Sequence, residues 1–275
     1  MGNAYEERLG TDRMLPLIFK MSLPAVAAQL VNLLYNIVDR IYIGHIPGIG
    51  TDALAGIGVT SAVIVLISSF SAIVGAGGSP LAAIALGQGN RERAGQILGN
   101  GFILLLIFTI LTSATTYLFM EPILLFTGAS ENTIGYATDY LSIYLLGTLF
   151  VELSVGLNTF INTQGRPTIA MYSVLIGAIL NIGLDPLFIF TFGMGVKGAA
   201  LATILSQACS AIWVISFLTS KKASLRLEYR YMKLHKGIIL SILALGVSPF
   251  IMASTESLVG FVLNSSLEKF GDIYV

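Results

Sequence analysis

Charged residues are scarce in this 275-residue sequence, in which Asp, Glu, Lys and Arg together make up 11%. An ordinary soluble domain carries about 25% charged residues, so the composition excludes that class. The hydrophobic share of 55% indicates an integral membrane protein instead. Acidic and basic residues balance to a net charge of zero, and a nucleic-acid partner is not expected because no dense basic face can be assembled.

Cysteine and histidine are nearly absent as well. The single Cys209 excludes an internal disulfide and a cysteine metal cluster. His45 and His235 lie far apart and fall in predicted loops. The sequence contains no GxxxxGK[ST] phosphate loop, so ATP is not expected as the energy source, and no organic cofactor is expected.

Long hydrophobic runs are abundant. Taking about 20 apolar residues as one bilayer crossing, the sequence predicts an all-α integral membrane fold with about seven transmembrane helices. The predicted spans cover residues 15–43, 53–86, 94–119, 133–163, 167–192, 196–220 and 237–267. The chain is therefore expected to be multi-pass, with the lipid bilayer as its surroundings.

Basic residues fall mainly on one side of these spans. That side carries Arg8, Arg13, Lys20, Arg91, Arg93, Arg166, Lys221, Lys222, Arg226, Arg230, Lys233 and Lys236. Only Arg40, Lys197 and Lys269 fall at the opposite ends. By the positive-inside rule, the amino terminus is predicted to be cytoplasmic.

The fifth span contains a carboxylate that needs an explanation. Asn181 and Asp185 lie four residues apart, and hence on one helix face. Pro186 has no N–H, so the carbonyl of Ile182 loses its intrahelical partner. Because a carboxylate at membrane depth costs roughly 3 kcal/mol on insertion scales, Asp185 needs a partner, a proton or water. The pattern indicates a cation site, with a purely structural helix-to-helix hydrogen bond as the alternative.

The first span carries a polar stripe. Gln29, Asn32, Asn36 and Asp39 recur at spacings of three, four and three, and Tyr35 lies one turn before Asp39. Such a stripe must face protein or water rather than lipid. An ion pair between Asp39 and an Arg or Lys elsewhere near the outer interface is the alternative to a functional role.

Depth allows the two aspartates to share a site. Asp39 and Asp185 lie about five to seven residues before the outer ends of outward-running helices, and Thr203 about seven residues after the outer start of the sixth. All three residues therefore reach a similar level. In the sixth span, small residues recur at every fourth position, a pattern of close helix packing; they are Gly198, Ala202, Ser206 and Ser210.

The seventh span resembles the start of a second copy of the first. In each span, a polar residue lies fifteen residues after a proline. Asp39 follows Pro24 in the first span, and Asn264 follows Pro249 in the seventh. The charged segment 221–236 is interpreted as a cytoplasmic linker between a six-helix lobe, residues 1–220, and the first helix of a second lobe, residues 237–275. Since repeated transporter halves enclose their substrate between them, the chain is expected to be a truncated piece that is inactive by itself.

These residues resemble the MATE (multidrug and toxic compound extrusion) family, in its DinF and MepA-like branch. The resemblance rests on SLPAVAAQLVNLLYNIVDRIYIG, NTQGRP, NIGLDPLFIF, GVKGAALATILSQ and the SPF and FVLN of the seventh span. It implies twelve helices in two six-helix lobes, of which this chain matches the first lobe and one further helix. It also implies a location in the plasma membrane, which is the inner membrane of prokaryotes.

The resemblance further implies roles for individual residues. The cation site of the first lobe falls on Asp39, Asn181, Asp185 and Thr203, which would bind Na⁺ if the transporter is sodium-coupled. Tyr35 matches a tyrosine of that site's hydrogen-bond network, and Pro24 matches a hinge of the first helix. Candidates for the substrate pocket are Asn158, Glu152, Glu256 and Asn36, of which Glu256 resembles a glutamate of the NorM-like branch.

The implied function is cation-coupled antiport, with Na⁺ or H⁺ driving export of small cationic or amphipathic organic molecules and with no obligate protein partner. The nearest alternative is a lipid or lipid-linked oligosaccharide flippase of the same superfamily, which would favour an arginine-lined cavity for phosphates. An intramembrane aspartyl enzyme using Asp39 and Asp185 is a third possibility. No further catalytic motif accompanies the two aspartates, so an enzyme is not expected.

Overall fold

Seven long helices dominate the computed structural model, which describes residues 14–267 and Gly271. In chain order they are α1 (Met14–Gly44), α2 (Gly50–Gly87), α3 (Arg91–Leu118), α4 (Ile134–Thr163), α5 (Pro167–Pro186), α6 (Val196–Thr219) and α7 (Lys236–Leu267). Each is long and apolar enough to cross a membrane, when α5 is taken with its extension to Thr191. The expected all-α fold with seven spans is thereby confirmed. Arg8, Arg13 and Lys269, which entered the charge count, lie outside the described residues.

Local chemistry explains where several helices begin and change. The side chain of Asn90 accepts a hydrogen bond from the backbone N–H of Arg93 at 3.0 Å, and so caps the start of α3. Pro186 ends the regular part of α5, and the chain continues as a π-helix over Leu187–Thr191. Because proline supplies no N–H, the turn widens, and the Phe192 N–H bonds to the Leu187 carbonyl five residues earlier. The sequence predicted one uninterrupted span here, and the wider turn was not foreseen.

The six helices α1–α6 form one bundle. Helix α4 packs between α2 and α6, and α5 packs against both α6 and α1. The core towards one end contains Leu98, Leu157, Phe160 and Leu218, all fully buried. Helix α1 is attached mainly through α5 and contributes only Ile43 to the buried set among the described residues.

The row of small residues on α6 packs against α5, as the spacing indicated. A Cβ on Gly177 of α5 would lie 2.6 Å from the Ser210 hydroxyl of α6. That hydroxyl donates to the carbonyl of Ser173 at 2.8 Å. At the other end of the row, Gly198 lies against the backbone of Phe188 in the π-helical turn. The close approach fixes where Thr203 sits relative to Asp185.

Helix α7 lies along α2, with a reciprocal glycine contact. A Cβ on Gly77 would collide with the Ile242 carbonyl, and a Cβ on Gly246 would collide with the Ile73 carbonyl. Glycine at both positions lets the two backbones touch. The first helix after the predicted linker therefore packs directly on the six-helix bundle.

The predicted linker 221–236 also packs on the bundle. The buried side chain of Asn100 donates to the Lys233 carbonyl at 3.0 Å and accepts from the His235 N–H at 2.8 Å. The buried Gln164 accepts from the Leu225 N–H at 3.0 Å. We call residues 221–235 the docked loop, since two buried amides hold its backbone at defined points.

Candidate functional site

Asp39 of α1 and Asp185 of α5 meet inside the bundle. Their carboxyl groups lie close enough to interact directly. Asp185 is fully buried, and Asp39 is half-buried. Within the described part of the chain, neither takes part in an ion pair. The ion pair considered as the alternative for Asp39 is therefore not formed there.

Asn181 and Thr203 complete the polar cluster around Asp185. The Asn181 amide nitrogen donates to Asp185 Oδ1 at 3.2 Å and lies 3.5 Å from the Thr203 hydroxyl oxygen. Asn181 and Asp185 share one face of α5 because they lie a helical turn apart. Thr203 reaches them from α6, brought close by the packing of that helix on α5.

Three oxygen atoms of this cluster are buried and have no hydrogen-bond donor. They are Asp39 Oδ1, Asn181 Oδ1 and Asp185 Oδ2. Buried acceptors without donors cost free energy, and two adjacent carboxylates repel each other. A proton or a small cation between the two carboxylates would supply the missing partner and reduce their repulsion. The chemistry of the cluster is therefore compatible with a proton or a monovalent cation.

The oxygen atoms present fit Na⁺ or H⁺ better than a transition metal. Carboxylate, amide and hydroxyl oxygens are ligands for hard cations, and Asp39, Asn181, Asp185 and Thr203 provide all three kinds. Over residues 14–267, no group of three or more His, Cys, Asp and Glu side chains comes together as a metal cluster.

Three aromatic or amide side chains surround the aspartates. Tyr35 lies beside Asn36 and Gln207. Tyr140 of α4, which is 5% exposed, lies beside Thr203 and close to Asp39. The sequence reasoning included Tyr35 but missed Tyr140 and Gln207. Gln207 follows Thr203 by four residues, so a search along the same helix face would have found it.

A cavity of about 250 Å³ opens next to the aspartate site, between α1, α4, α5 and α6. Its polar lining includes Gln29, Asn32, Tyr35, Asn158, Asn162 and Gln207, and its apolar lining includes Met171 and Val174. The polar stripe of α1 thus lines the cavity through Gln29, Asn32 and Tyr35, of which Gln29 and Asn32 are exposed.

The four residues predicted to line the substrate pocket lie in different parts of the structure. Asn158 lines the cavity and donates to the Ala170 carbonyl at 3.2 Å. Asn36 is exposed and its amide bonds to the Asn32 carbonyl of its own helix, away from the cavity lining. Glu152 is buried at the contact of α4 with α2, and Glu256 is exposed on α7. Pro24 is half-buried, and α1 continues through it.

Comparisons with known proteins match this chain to a family of transporters. A model of the MatE family matches residues 24–187. The multidrug export protein MepA of Staphylococcus haemolyticus (strain JCSC1435) is 28% identical over 251 residues, which are 91% of this chain and 55% of that protein.

Solved structures agree in fold. An inward-facing conformation of a multidrug resistance MATE family transporter of the MOP superfamily has a TM-score of 0.82 and 26% identity, and covers 94% of this chain and 58% of that chain. A MATE crystal structure in a bent conformation has a TM-score of 0.82 and 28% identity, over 93% and 57% of the two chains. The chain spans a little over half the length of these relatives.

The family match covers more than half of the chain and contains both aspartates that meet in the bundle. It begins at Pro24 of α1 and ends one residue after Pro186 of α5, and thus takes in the pair of helices that carry the site. On this match, and on its likeness to MepA export proteins and MATE transporter structures, the chain belongs to the MatE family.

Proposed function

We propose that this chain forms part of a multidrug efflux transporter in which Na⁺ or H⁺ exchanges against a small cationic or amphipathic organic molecule. The observation that carries the proposal is the buried aspartate pair beside a cavity. Asp39 Oδ1 and Asp185 Oδ2 are buried acceptors without donors, and Tyr35 belongs both to their surroundings and to the cavity lining. A cation bound at the pair is therefore in a position to influence the cavity.

Helix α1 supplies the physical link between cation and cavity. It carries Asp39, and it also carries the cavity residues Gln29 and Asn32. Binding of a cation removes the repulsion between Asp39 and Asp185 and so favours close contact of α1 with α5. The conformation with the pair apart binds the cation less well, and this difference in affinity is what couples the two binding events.

Pro24 supplies a place where α1 can bend. It interrupts the hydrogen-bond ladder of α1, and proline is the commonest cause of a sharp helix kink. We propose that α1 changes its course about Pro24 when the pair is neutralised. The part of α1 beyond Pro24 bears the cavity residues, so such a bend changes the size of the cavity.

The cavity chemistry suits a neutral or positively charged organic molecule. Its lining consists of amides, hydroxyls and apolar side chains, and none of the described lining residues is Lys or Arg. At about 250 Å³ it lies at the lower end of ligand pockets, which run from about 300 to 1,000 Å³. A drug-sized substrate therefore requires the cavity to widen.

A flippase for lipid-linked oligosaccharides or lipids is less well supported. Phosphate groups call for arginine at the binding surface, and the described cavity lining contains none. An enzymatic role has no support either, since the MepA relatives are named as export proteins.

The test is drug uptake into everted membrane vesicles from cells that express a full-length transporter containing this chain. Wild-type protein should move a cationic dye when a Na⁺ or H⁺ gradient is imposed. Asp39→Asn and Asp185→Asn should each reduce this uptake by tenfold or more, because one carboxylate alone loses the paired site. Glu131→Gln, which neutralises an exposed acid, serves as the matched control. Gradient-driven uptake that survives both aspartate substitutions would refute the coupling.

A further inference from the structure

Glu152 is a buried carboxyl group that the proposed transport cycle does not use. It lies in the middle of α4, is 2% exposed, and faces α2 rather than the cavity. The Ser68 hydroxyl of α2 donates to Glu152 Oε1 at 3.1 Å, and Ser71 is its other side-chain partner. A carboxylate at this depth needs a compensating charge or a proton.

No compensating positive charge lies beside Glu152. Its interaction partners are the two serines of α2, and no Lys, Arg or His of the described helices acts on it. The titratable side chain that faces it is Tyr144 on its own helix. Helix α7 contributes Glu256, which is exposed. The group must therefore be neutralised by something other than an ion pair.

The hydrogen bonds around Glu152 accommodate a protonated carboxyl. The Ser71 hydroxyl donates to the Ser68 carbonyl at 2.8 Å, which leaves its oxygen able to accept, and the Ser71 backbone N–H is a further donor to the Glu152 carboxyl. The Ser68 hydroxyl donates to Glu152. An ionised carboxylate has only acceptors, whereas a protonated one has a donor and an acceptor. A protonated carboxyl can donate to the Ser71 oxygen while it accepts from its neighbours, and burial without a positive charge favours that form.

A metal ion is a poorer match for the same place. Glu152 is the single carboxylate there, and the described residues form no cluster of three metal-ligating side chains. A proton is the occupant that this geometry accommodates.

Buried aromatic side chains connect this place to the aspartate pair. Tyr144 lies beside Ser68 and interacts electrostatically with Glu152, two turns further along α4. Its ring stacks on that of Tyr140, with centroids 6.1 Å apart and an interplanar angle of 17°, and Tyr140 lies beside Thr203. Tyr140 and Tyr144 are each 5% exposed, so water does not screen the electrostatic interaction along this row.

The same turn of α2 also touches α7. Ser69 follows Ser68, and its hydroxyl oxygen lies 3.4 Å from that of Ser254. A change of hydrogen bonding at Glu152 therefore acts on the helix that holds α7 in place.

We propose that Glu152, with Ser68 and Ser71, forms a second proton-binding site of this protein, which is coupled through Tyr144 and Tyr140 to the Asp39–Asp185 pair. Proton binding at Glu152 goes beyond the proposed transport function and does not depend on it. The coupling deepens that function, because it gives one lobe two places where a proton changes helix contacts.

Infrared spectroscopy of the purified protein in lipid vesicles tests the proposal, since the C=O stretch of a protonated carboxyl is separate from the bands of a carboxylate. In H₂O and D₂O over a pH series, Glu152→Gln should remove one protonated-carboxyl band. The band should remain in Glu256→Gln, the matched control for an exposed glutamate. It should also remain in the double variant that combines Asp39→Asn with Asp185→Asn. That arm is independent of drug transport.

Ser68→Ala provides a second variant that keeps the carboxyl. It should shift the band to higher frequency, because one hydrogen bond to the C=O is lost, whereas Ser266→Ala at an exposed position should leave the band in place. The proposal is overturned if Glu152→Gln removes only carboxylate absorption at every pH, or if Ser68→Ala leaves the frequency of the protonated-carboxyl band unchanged. Coupling requires the pH midpoint of the band to move when both aspartates are replaced, and an unchanged midpoint contradicts it.

Discussion

Asn181 holds the aspartate site together. Its amide nitrogen binds Asp185 Oδ1 at 3.2 Å and lies near the Thr203 hydroxyl, while its amide oxygen is buried without a donor. One side chain thus orients a carboxylate and offers a ligand oxygen. An alanine at this position would remove both contributions and leave Asp185 without a donor.

We expect Asn181→Ala to weaken binding of the coupling cation by roughly 10- to 100-fold, since a hydrogen bond to a charged group contributes about 1.5–3 kcal/mol and 1.4 kcal/mol is tenfold. The measurement is the cation concentration that gives half-maximal dye transport. Gln88→Ala replaces an exposed amide at a turn and should leave that concentration unchanged. An unaltered value in Asn181→Ala would remove this residue from the site.

Single site residues could be predicted where a charged side chain lies within an apolar span. Asp39, Asp185 and Glu152 are conspicuous because membrane burial of a carboxylate is costly. Tyr140 and Gln207 were missed, since a neutral amphipathic side chain in a helix is compatible with plain packing. The separation of Glu152 from the cavity was also not predictable, because a sequence position does not specify the direction in which a helix faces.

The bounds of the helices could be predicted from the lengths of the apolar runs. Which helices pack against each other could not. Six of the seven predicted spans end within a few residues of α1–α4, α6 and α7. The small-residue row on α6 predicted a close neighbour, which is α5. The attachment of α7 to α2 depends on Gly77 and Gly246, and neither glycine identifies its partner from sequence alone. The π-helical turn after Pro186 could not be predicted either, because it depends on the three-dimensional path of the chain.

We expect Gly246→Ala to destabilise the packing of α7 on α2. The added Cβ would meet the Ile73 backbone, and overpacking costs typically about 1–3 kcal/mol. The midpoint of thermal unfolding in detergent should fall by several degrees. Gly237→Ala lies on the same helix with no heavy atom within 4 Å of the new Cβ, and should keep or raise the midpoint, as alanine favours helix by about 1 kcal/mol. Equal midpoints for the two variants would contradict the close contact.

Across the whole molecule, the docked loop connects α6 to α7 and lies at the end of the bundle where most basic residues gather. Asn100 and Gln164 fix its backbone, and it carries Lys221, Arg226 and Lys233. By the positive-inside rule, we propose that this end faces the cytoplasm. Orientation and docking can be tested together because both determine the access of a protease.

Trypsin should cleave the docked loop in everted vesicles and not in intact cells. Asn100→Leu should speed this cleavage severalfold, because it leaves the Lys233 carbonyl and the His235 N–H without partners. Gln96→Leu, one turn away on the same helix, is the control and should keep the wild-type rate. Cleavage from the outside of intact cells would reverse the assigned orientation, and equal rates for the two variants would argue against docking by Asn100.

The central claim is that Asp39 and Asp185 act as one cation site. The most direct test is gradient-driven dye transport by wild-type protein, Asp39→Asn, Asp185→Asn and the variant with both changes, measured side by side. If the carboxyl groups share one ion, either substitution removes the site and the double variant loses no more than a single one, as expected for residues in one network. Losses that multiply in the double variant, or a single variant that transports like wild type, would contradict the claim.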